Sequence, residues 1–426
     1  MAQIRGAKAY WVLLALIGGL AAGAGAGGLD PGVREPALKA ASMIGGIWLD
    51  ALKMTVIPLI VALLVTGVAQ GAEAARAGRI AGRSILWFVI VCTGSAILGA
   101  LVMPALLGAF PLGAQSAAAL REGLAALDPG AMPSTVPSVA DFFRTIVPPN
   151  PVAAAANDNV LQLVVFALLF ALALTRIGAD QRRTIVGLFE GIASTLLVVI
   201  GWVLWIAPLG VFALAFAVGA GAGGAAFAAL LHYIVMVSTL GFIVLLAGYA
   251  IAIVAGRVAP ARFVRAMIAP QAVAVSTQSS LASLPAMLAA VRLMGVRQRV
   301  ADVTLPLAVA LFRATGPAMN IGVAIYIAHW LGTDISPANL VAATAIAAVV
   351  SYGAVSLPGQ VSFFTSIAPI AMALGVPVGP LALLVAVEMI PDIMRTVGNV
   401  TLDAAVTTAV DRSAGRDTDE PVATTD

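Results

Sequence analysis

The chain has 426 residues, of which 61% are hydrophobic and only 10% are charged. Soluble domains are about 45–50% apolar and about 25% charged, so this composition excludes a soluble protein with one anchor. The net charge of +3 does not indicate nucleic acid binding, because the basic residues lie in short loops between apolar segments. The chain has one cysteine, Cys92, which excludes an intrachain disulfide. It has two histidines, His232 and His329, and no Cys/His cluster, which argues against a zinc enzyme.

Apolar stretches of about 20 residues, the length of a membrane-spanning helix, recur from end to end. We interpret the first, which begins at Ala9, as a membrane helix and not as a signal peptide, because many further spans follow. A polar, Pro-rich connection at 110–150 separates the third predicted helix from the fourth. The six helices predicted in the first part of the chain are 9–29, 40–70, 84–109, 151–176, 183–218 and 224–256.

The four later apolar segments have polar residues or helix breakers at their centres. Segments 263–295 and 338–373 each contain Ser-Leu-Pro near the middle, and 300–331 contains Arg-Ala-Thr-Gly-Pro at 313–317. Segment 376–411 has a charged middle. Paired, broken segments in corresponding positions are typical of inverted-repeat transporters.

The distribution of Lys and Arg supports two re-entrant hairpins. If 263–295 and 338–373 each enter and leave on one side, sixteen basic residues lie in loops on the N-terminal side and four on the other. The positive-inside rule then places both termini in the cytoplasm. We therefore expect an all-α, multi-pass protein surrounded by lipid in the cell inner (plasma) membrane.

The last segment concentrates polar side chains on one helical face about 100° wide. A charge at the bilayer centre costs at least about 2.5–3.5 kcal/mol, so this stripe must face protein, water or a ligand. A purely structural ion pair, such as Asp392 with Arg395, is the alternative. The stripe comprises Glu388, Asp392, Arg395, Thr396, Asn399 and Asp403.

These residue types indicate a small anionic or zwitterionic substrate. The planar fork of Arg395 suits a carboxylate, and Asp392 suits an ammonium group. Thr396 and Asn399 add neutral hydrogen-bonding groups. The broken hairpins would supply free backbone groups to the ligand and to ions.

Residues 392–403, DIMRTVGNVTLD, resemble the last-helix signature of the dicarboxylate/amino acid:cation symporter family, the glutamate transporter homologues. Further matches to that family, in its order, lie at 53–59, 149–151, 159–162, 279–285, 304–307 and 356–359. The resemblance implies eight transmembrane helices plus two re-entrant hairpins, inverted repeats, a homotrimer and an elevator mechanism.

The resemblance also implies a domain organisation. Residues 1–256 would contain helices 1 to 6, of which helices 1, 2, 4 and 5 form a static scaffold. Helices 3 and 6 would join a transport core at 257–411, which holds both hairpins and helices 7 and 8. Residues 412–426 would form a disordered cytoplasmic tail.

The resemblance implies a role for each residue of the site. Arg395 would bind the substrate's side-chain carboxylate and Asp392 its amino group. Thr396 and Asn399 would hold the other end of the substrate, and Asp403 would lie at a cation site. The groups that close over the substrate would be Ser280 and the backbone around Gln278, Leu357 and Gly359.

The seventh helix departs from the family pattern. The family's Asn-Met-Asp-Gly-Thr stretch falls on FRATG at 312–316, so Phe312 and Ala314 replace two oxygen ligands of sodium. In helix 3 the corresponding hydroxyl positions fall on Val91 and Cys92. We therefore expect at least one sodium site to be missing.

Arg313 is the most informative replacement. Its guanidinium would place a fixed positive charge where relatives bind a cation. Coupling would then be reduced, absent or moved to protons, with Glu388 or Asp403 as the titrating group. The alternative is that Arg313 forms a structural pair with Asp403 or Glu388, or extends toward the membrane surface.

Together these features predict a symporter for acidic amino acids or dicarboxylates, with Na⁺ or H⁺ as coupling ion and no cofactor. One alternative is a carrier of the same fold that transports neutral amino acids or is uncoupled. An anion channel is a second alternative, but polar residues concentrated in the last four segments favour one occluded site over a continuous pore. Neither a nucleophile–base set nor a metal cluster supports an enzyme.

Overall fold

A computed structural model provides the structure of the chain. It describes residues 9–26, 30–76, 78–113, 116–118, 147–157, 159–222, 225–353 and 359–414. Regular secondary structure in these ranges is helical throughout, which confirms the expected all-α class. Within the described residues, five helical stretches are long and apolar enough to cross a membrane, and six shorter apolar helices accompany them.

The described residues of the first part of the chain form eight helices, and four of the six predicted helices correspond to one helix each. The second is longer than predicted and contains Pro36 and Pro58. The eight are α1 (Ala9–Ala26), α2 (Pro31–Arg76), α3 (Arg79–Ala109), α4 (Pro151–Ala156), α5 (Val160–Leu174), α6 (Ala179–Trp205), α7 (Ala207–Ala222) and α8 (Ala225–Val254).

The prediction of one continuous helix at 151–176 is wrong, because α4 and α5 are separate. Asn150 caps α4 by accepting hydrogen bonds from the backbone N–H groups of Val152 and Ala153. The Asn157 side chain donates to the Ala153 carbonyl oxygen at 2.9 Å, where α4 ends. Asn side chains compete in this way with the helical backbone and favour helix ends.

The prediction of one helix at 183–218 is also wrong. The chain is helical up to Trp205, and a second helix starts at Ala207. Pro208 explains the break, because proline has no N–H to donate into a preceding helix but fits the first turn of a new one.

The second part of the chain contains the predicted interruptions. The first lies at Gln278, whose backbone is left-handed with φ 50°, and at Ser279. The second spans 312–314. The third falls at 354–358, outside the described ranges. The helices are α9 (Pro260–Thr277), α10 (Ser280–Leu293), α11 (Gln298–Leu311), α12 (Thr315–Leu331), α13 (Pro337–Gly353), α14 (Gly359–Ala373), α15 (Leu381–Leu384) and α16 (Met389–Ala414).

The final segment is not one helix from 376 to 411. It consists of the short α15, a turn at 385–388, and α16. Glu388 therefore precedes α16, although its carbonyl oxygen accepts the Asp392 N–H at 2.8 Å. Pro391 lies in the first turn of α16, where proline is tolerated because the N–H that it lacks would have no partner within the helix.

Helices α1 and α7 pack closely enough to exclude side chains. A Cβ added to Gly23 would lie 2.1 Å from the Phe216 carbonyl oxygen, and one added to Gly19 would lie 2.5 Å from that of Phe212. The small residues of α1 thus serve helix packing, as in many membrane interfaces. Helix α2 packs against α5, α6 and α7, which completes the N-terminal group.

Helix α16 lies at the centre of a second group. It packs against α3 and α8 from the first part of the chain and against α9, α10, α11 and α12 from the second. One buried apolar cluster, which includes Phe88, Phe263, Phe312 and Val400, joins these helices. A separate, larger cluster joins α1, α2 and α5–α7 to α12–α14. Helices α3, α8 and α12 contribute to both clusters.

Candidate functional site: the polar stripe of the last helix

Five of the six residues of the polar stripe are buried inside the protein, and the sixth, Asp392, is half-buried. Only 8% of Arg395 and 2% of Glu388 are exposed, and Asp403 has no exposed surface. Thr396 and Asn399 are also buried. The six helices around α16 therefore enclose a polar site within a membrane protein, where buried charged groups are costly and usually mark a functional site.

The Arg395 guanidinium binds three side chains at once. Its Nη2 donates to Glu388 Oε1 at 2.6 Å, and its Nη1 donates to Asn320 Oδ1 on α12 at 2.6 Å. Its Nε lies 3.4 Å from Asp392 Oδ1. Tyr233 on α8 donates to the second Glu388 oxygen at 2.9 Å. Charge-assisted bonds of this kind are stronger than neutral ones, so they fix Arg395 between α8, α12 and α16.

Asn399 connects α16 to the interruption of the seventh predicted segment. Its Oδ1 accepts from the backbone N–H of Thr315 at 2.9 Å and lies 2.7 Å from the Thr315 hydroxyl. That hydroxyl is also 2.9 Å from the carbonyl oxygen of Arg395. An N–H at the start of a helix has no partner in its own helix, and Asn399 supplies one. The amide nitrogen of Asn399 remains as a donor.

Asp403 lies one turn beyond Asn399. Neither of its carboxylate oxygens has a hydrogen-bond partner in the described structure. Arg313, in the break between α11 and α12, is the basic side chain whose charge acts on it. Arg313 also interacts electrostatically with Asp392. Among the described residues it forms no ion pair within 4 Å with Asp403 or Glu388, so the structural pair considered as an alternative from the sequence is not formed.

The first hairpin reaches α16 through its first arm. Gln271 on α9 donates from its Nε2 toward the Thr401 hydroxyl at 2.9 Å and the Tyr249 hydroxyl at 3.0 Å. Ser279 caps α10 by accepting the Ala282 N–H at 3.2 Å. Gln278 is exposed at the tip beside Ser280. The structure therefore places both predicted hairpin residues at the turn between α9 and α10.

The second hairpin contributes less to the described site. Leu357 lies outside the described ranges. Gly359 begins α14, and only its backbone is described. Helix α13 packs against α2, α3 and α12, which holds this hairpin beside the site.

Two residues of the site were missed in the sequence. Tyr233 and Asn320 lie outside the predicted stripe, yet both bind its charged groups. Asn320 carried a usable signal, because it is a polar side chain in the apolar run 315–331. Tyr233 carried none, since a tyrosine in an apolar helix is common.

The arrangement can bind a carboxylate and exchange protons, but it offers little to a metal ion. No group of three potential His, Cys, Asp or Glu ligands occurs in the part of the chain that the structure describes. Asn399 Oδ1 is occupied by Thr315. Both carboxylate oxygens of Asp403 lack a hydrogen bond in the described structure, and the charge of Arg313 opposes a cation there.

Sequence comparison identifies relatives along almost the whole chain. The family described as "Sodium:dicarboxylate symporter family" matches residues 9–413. The chain is 28% identical to the proton/sodium-glutamate symport protein of Bacillus subtilis (strain 168), over 87% of this chain and 86% of that protein. It is also 28% identical to the C4-dicarboxylate transport protein of Solibacter usitatus (strain Ellin6076), over 100% of this chain and 96% of the relative.

A third relative is the proton/glutamate-aspartate symporter of Escherichia coli (strain K12), 28% identical over 84% of this chain and 82% of that protein. All three relatives are named as transport proteins, which agrees with a buried polar site and with apolar helices of membrane-spanning length. The family resemblance found in the last helix is thereby confirmed. The chain belongs to the sodium:dicarboxylate symporter family and is a multi-pass membrane transporter, not an enzyme.

Proposed function

We propose that this protein is a proton-coupled symporter of small dicarboxylic acids, the class that includes C4-dicarboxylates and acidic amino acids. The observation that carries the proposal is the buried Arg395, which already holds a carboxylate of the chain itself, Glu388, at 2.6 Å. A guanidinium that binds one carboxylate in a low-dielectric site is suited to bind another in its place.

A substrate carboxylate can replace Glu388 at Arg395 only if Glu388 loses its negative charge. Two carboxylates, Glu388 and Asp392, face Arg395, and Tyr233 holds the far oxygen of Glu388. A third carboxylate in this enclosed site would be strongly repelled by ionised Glu388. A proton on Glu388 removes that charge and frees Arg395. Binding of substrate and uptake of a proton are then one event.

The neighbouring residues define which dicarboxylic acids fit. Asp392 suits an ammonium group, which favours acidic amino acids over plain dicarboxylates. Thr396 and the amide nitrogen of Asn399 would bind the other end of the substrate. Backbone groups at Gln278, Leu357 and Gly359, with Ser280, would close over it.

The family and the packing support an elevator arrangement. In this proposal α1, α2 and α4–α7 form the scaffold, and the remaining helices, with both hairpins, move the substrate as a unit. The 16 described helices fit eight membrane-spanning segments plus two hairpins when interrupted segments are counted as one. Trp202 and Trp205 on α6, 69% and 68% exposed, would contact lipid or a partner subunit in a trimer. We place the protein in the inner membrane with both termini cytoplasmic.

Uptake into liposomes that contain the purified protein tests this function. Labelled aspartate, glutamate and succinate are supplied with a proton gradient or a sodium gradient imposed separately. We expect accumulation of at least one of these substrates with the proton gradient alone. Arg395→Ala and Arg395→Lys should both abolish it, because lysine lacks the planar fork.

Arg299→Ala, at an exposed position, is the matched control and should behave like the parent. Strict sodium dependence would overturn the proton coupling. Uptake of none of the three substrates under either gradient would overturn the substrate class, and a panel of neutral amino acids would then be the next test.

A further inference from the structure

The charge of Asp403 has no hydrogen-bonded partner in the described structure. Both carboxylate oxygens are buried without a hydrogen bond, and the side chain has no exposed surface. An ionised carboxylate in such a place costs several kcal/mol unless an opposite charge lies nearby. A proton would leave a buried O–H without an acceptor, because neither oxygen has a hydrogen-bond partner among the described residues. The remaining candidates for the compensating group are a bound metal cation and a basic side chain.

A bound metal cation fits the surrounding residues poorly. Hard cations require several oxygen ligands around one point. Asn399 Oδ1, one turn away, is bound to Thr315. The Thr401 hydroxyl donates to the Val397 carbonyl oxygen and accepts from Gln271. The oxygens on this part of α16 are therefore engaged in protein hydrogen bonds, and Arg313 repels a second positive charge.

Arg313 is placed to supply the charge itself. It lies in the three-residue break before Thr315, and Thr315 is tied to Asn399 on α16. The aromatic ring of the preceding Phe312 stacks on Phe88 of α3 at 4.5 Å, which fixes the other side of the break. The charge of Arg313 acts on Asp403 and on Asp392, and the guanidinium forms no ion pair within 4 Å among the described residues.

We propose that Arg313 is the resident counterion of Asp403, a cation supplied by the chain in place of a bound metal ion, so that the folded site needs no sodium. The proposal rests on the membership of a sodium-coupled family and deepens the proposed proton coupling. It assigns to Arg313 a charge-compensating role, not contact with the substrate.

The unfolding temperature of the purified protein in detergent tests this role without any substrate. The measurement is made in choline chloride and again in sodium chloride at the same ionic strength. The unfolding temperature of the parent should be the same in both salts. Arg313→Met leaves Asp403 uncompensated, and we expect its unfolding temperature to fall by about 5 °C or more in choline chloride. Sodium chloride should restore much of that loss, because a sodium ion can then occupy the space beside Asp403.

Two further variants keep the test decisive. Arg313→Met combined with Asp403→Asn removes both charges, and it should recover most of the stability and lose the sodium response. Arg313→Lys keeps the charge and should resemble the parent. If Arg313→Met does not fold, a stable double variant that ignores sodium still supports the proposal. Arg299→Met, at an exposed site, controls for the loss of an arginine.

Three results would overturn the proposal. The first is a sodium-specific rise in the unfolding temperature of the parent. The second is an Arg313→Met protein as stable as the parent in choline chloride. The third is a double variant no more stable than Arg313→Met. Since none of these readouts involves a substrate, a failure of the proposed substrate class would leave the result on Arg313 unaffected.

Discussion

Thr315 and Asn399 join the first residue of α12 to the middle of α16. The backbone N–H of Thr315 donates to Asn399 Oδ1, and its hydroxyl lies within 2.9 Å of two acceptors on α16. This link positions the helix break that carries Arg313. It also aligns Asn320, which lies further along α12, with Arg395.

Removal of the Thr315 hydroxyl should weaken this link. Thr315→Val keeps the shape and the backbone bond to Asn399 but loses the side-chain hydrogen bond. We expect a loss of about 1 kcal/mol in the free energy of unfolding, measured by denaturant titration in detergent. Thr344→Val is the control, because that hydroxyl bonds to a carbonyl of its own helix, at Leu340. Equal losses in both variants would show that the link to α16 contributes nothing.

The Glu388–Arg395 pair predicts a specific pH dependence of binding. Ionised Glu388 occupies Arg395, and a proton on Glu388 releases it, so the affinity for labelled aspartate should rise as the pH falls from 8 to 6. For one proton the change is at most about tenfold per pH unit. Aspartate itself stays ionised over this range, because its side chain titrates near 3.9.

Glu388→Gln separates this mechanism from other pH effects. Glutamine carries no charge at any pH, so the variant should bind aspartate with nearly constant affinity between pH 6 and 8. It should also exchange substrate across the membrane but not accumulate it when a proton gradient is imposed. A variant with the parent's pH profile would show that the coupling proton binds elsewhere.

The end of α16 is fastened to the loop between α10 and α11. Arg297 Nε donates to Asp411 Oδ1 at 2.8 Å, and its Nη2 donates to the Asp411 carbonyl oxygen at 2.7 Å. Asp411→Asn should lower the free energy of unfolding by about 1–2 kcal/mol, since hydrogen bonds to charged groups contribute that much. Asp180→Asn breaks the exposed Asp180–Arg183 pair and should have almost no effect.

Close packing of α3 on α12 depends on Gly99. A Cβ at this position would lie 2.5 Å from the Ala318 carbonyl oxygen and 2.6 Å from its Cα, so the backbones must separate. We expect Gly99→Ala to lower the unfolding temperature and to reduce uptake, at a cost of about 1–3 kcal/mol. Gly94→Ala on the same helix meets open space and should be neutral. Equal losses at both positions would show that the close approach to Ala318 contributes nothing, because helix propensity alone favours alanine at both positions.

Hydrophobicity and breaker residues allowed most of the fold to be predicted. The interruptions at 278–279 and 312–314 follow from polar residues and proline inside apolar runs. The splits after Ala156 and Trp205 were missed, because a long apolar run masks a local break by Asn157 or Pro208. The start of α16 was missed for a similar reason, since Glu388 continues the helical periodicity although it lies in a turn.

From the sequence, only those residues of the candidate site that lie on one helix could be predicted. The spacing of Arg395, Asn399 and Asp403 placed them on one face, and all three are buried together. Tyr233 and Asn320 come from other helices, and their contacts with Glu388 and Arg395 depend on tertiary packing. No periodicity within one segment reports such contacts.

The only cysteine of the chain, Cys92, is buried where α3 faces the group of helices around α16. The natural sequence is therefore close to a cysteine-free background for site-directed labelling. Thiols introduced at exposed positions, such as Ser276 at the first hairpin and Leu209 on α7, would react with maleimide spin labels while Cys92 stays shielded. Distances between such labels would follow the hairpin relative to the N-terminal helices during turnover, without removal of any native side chain from the packed interior.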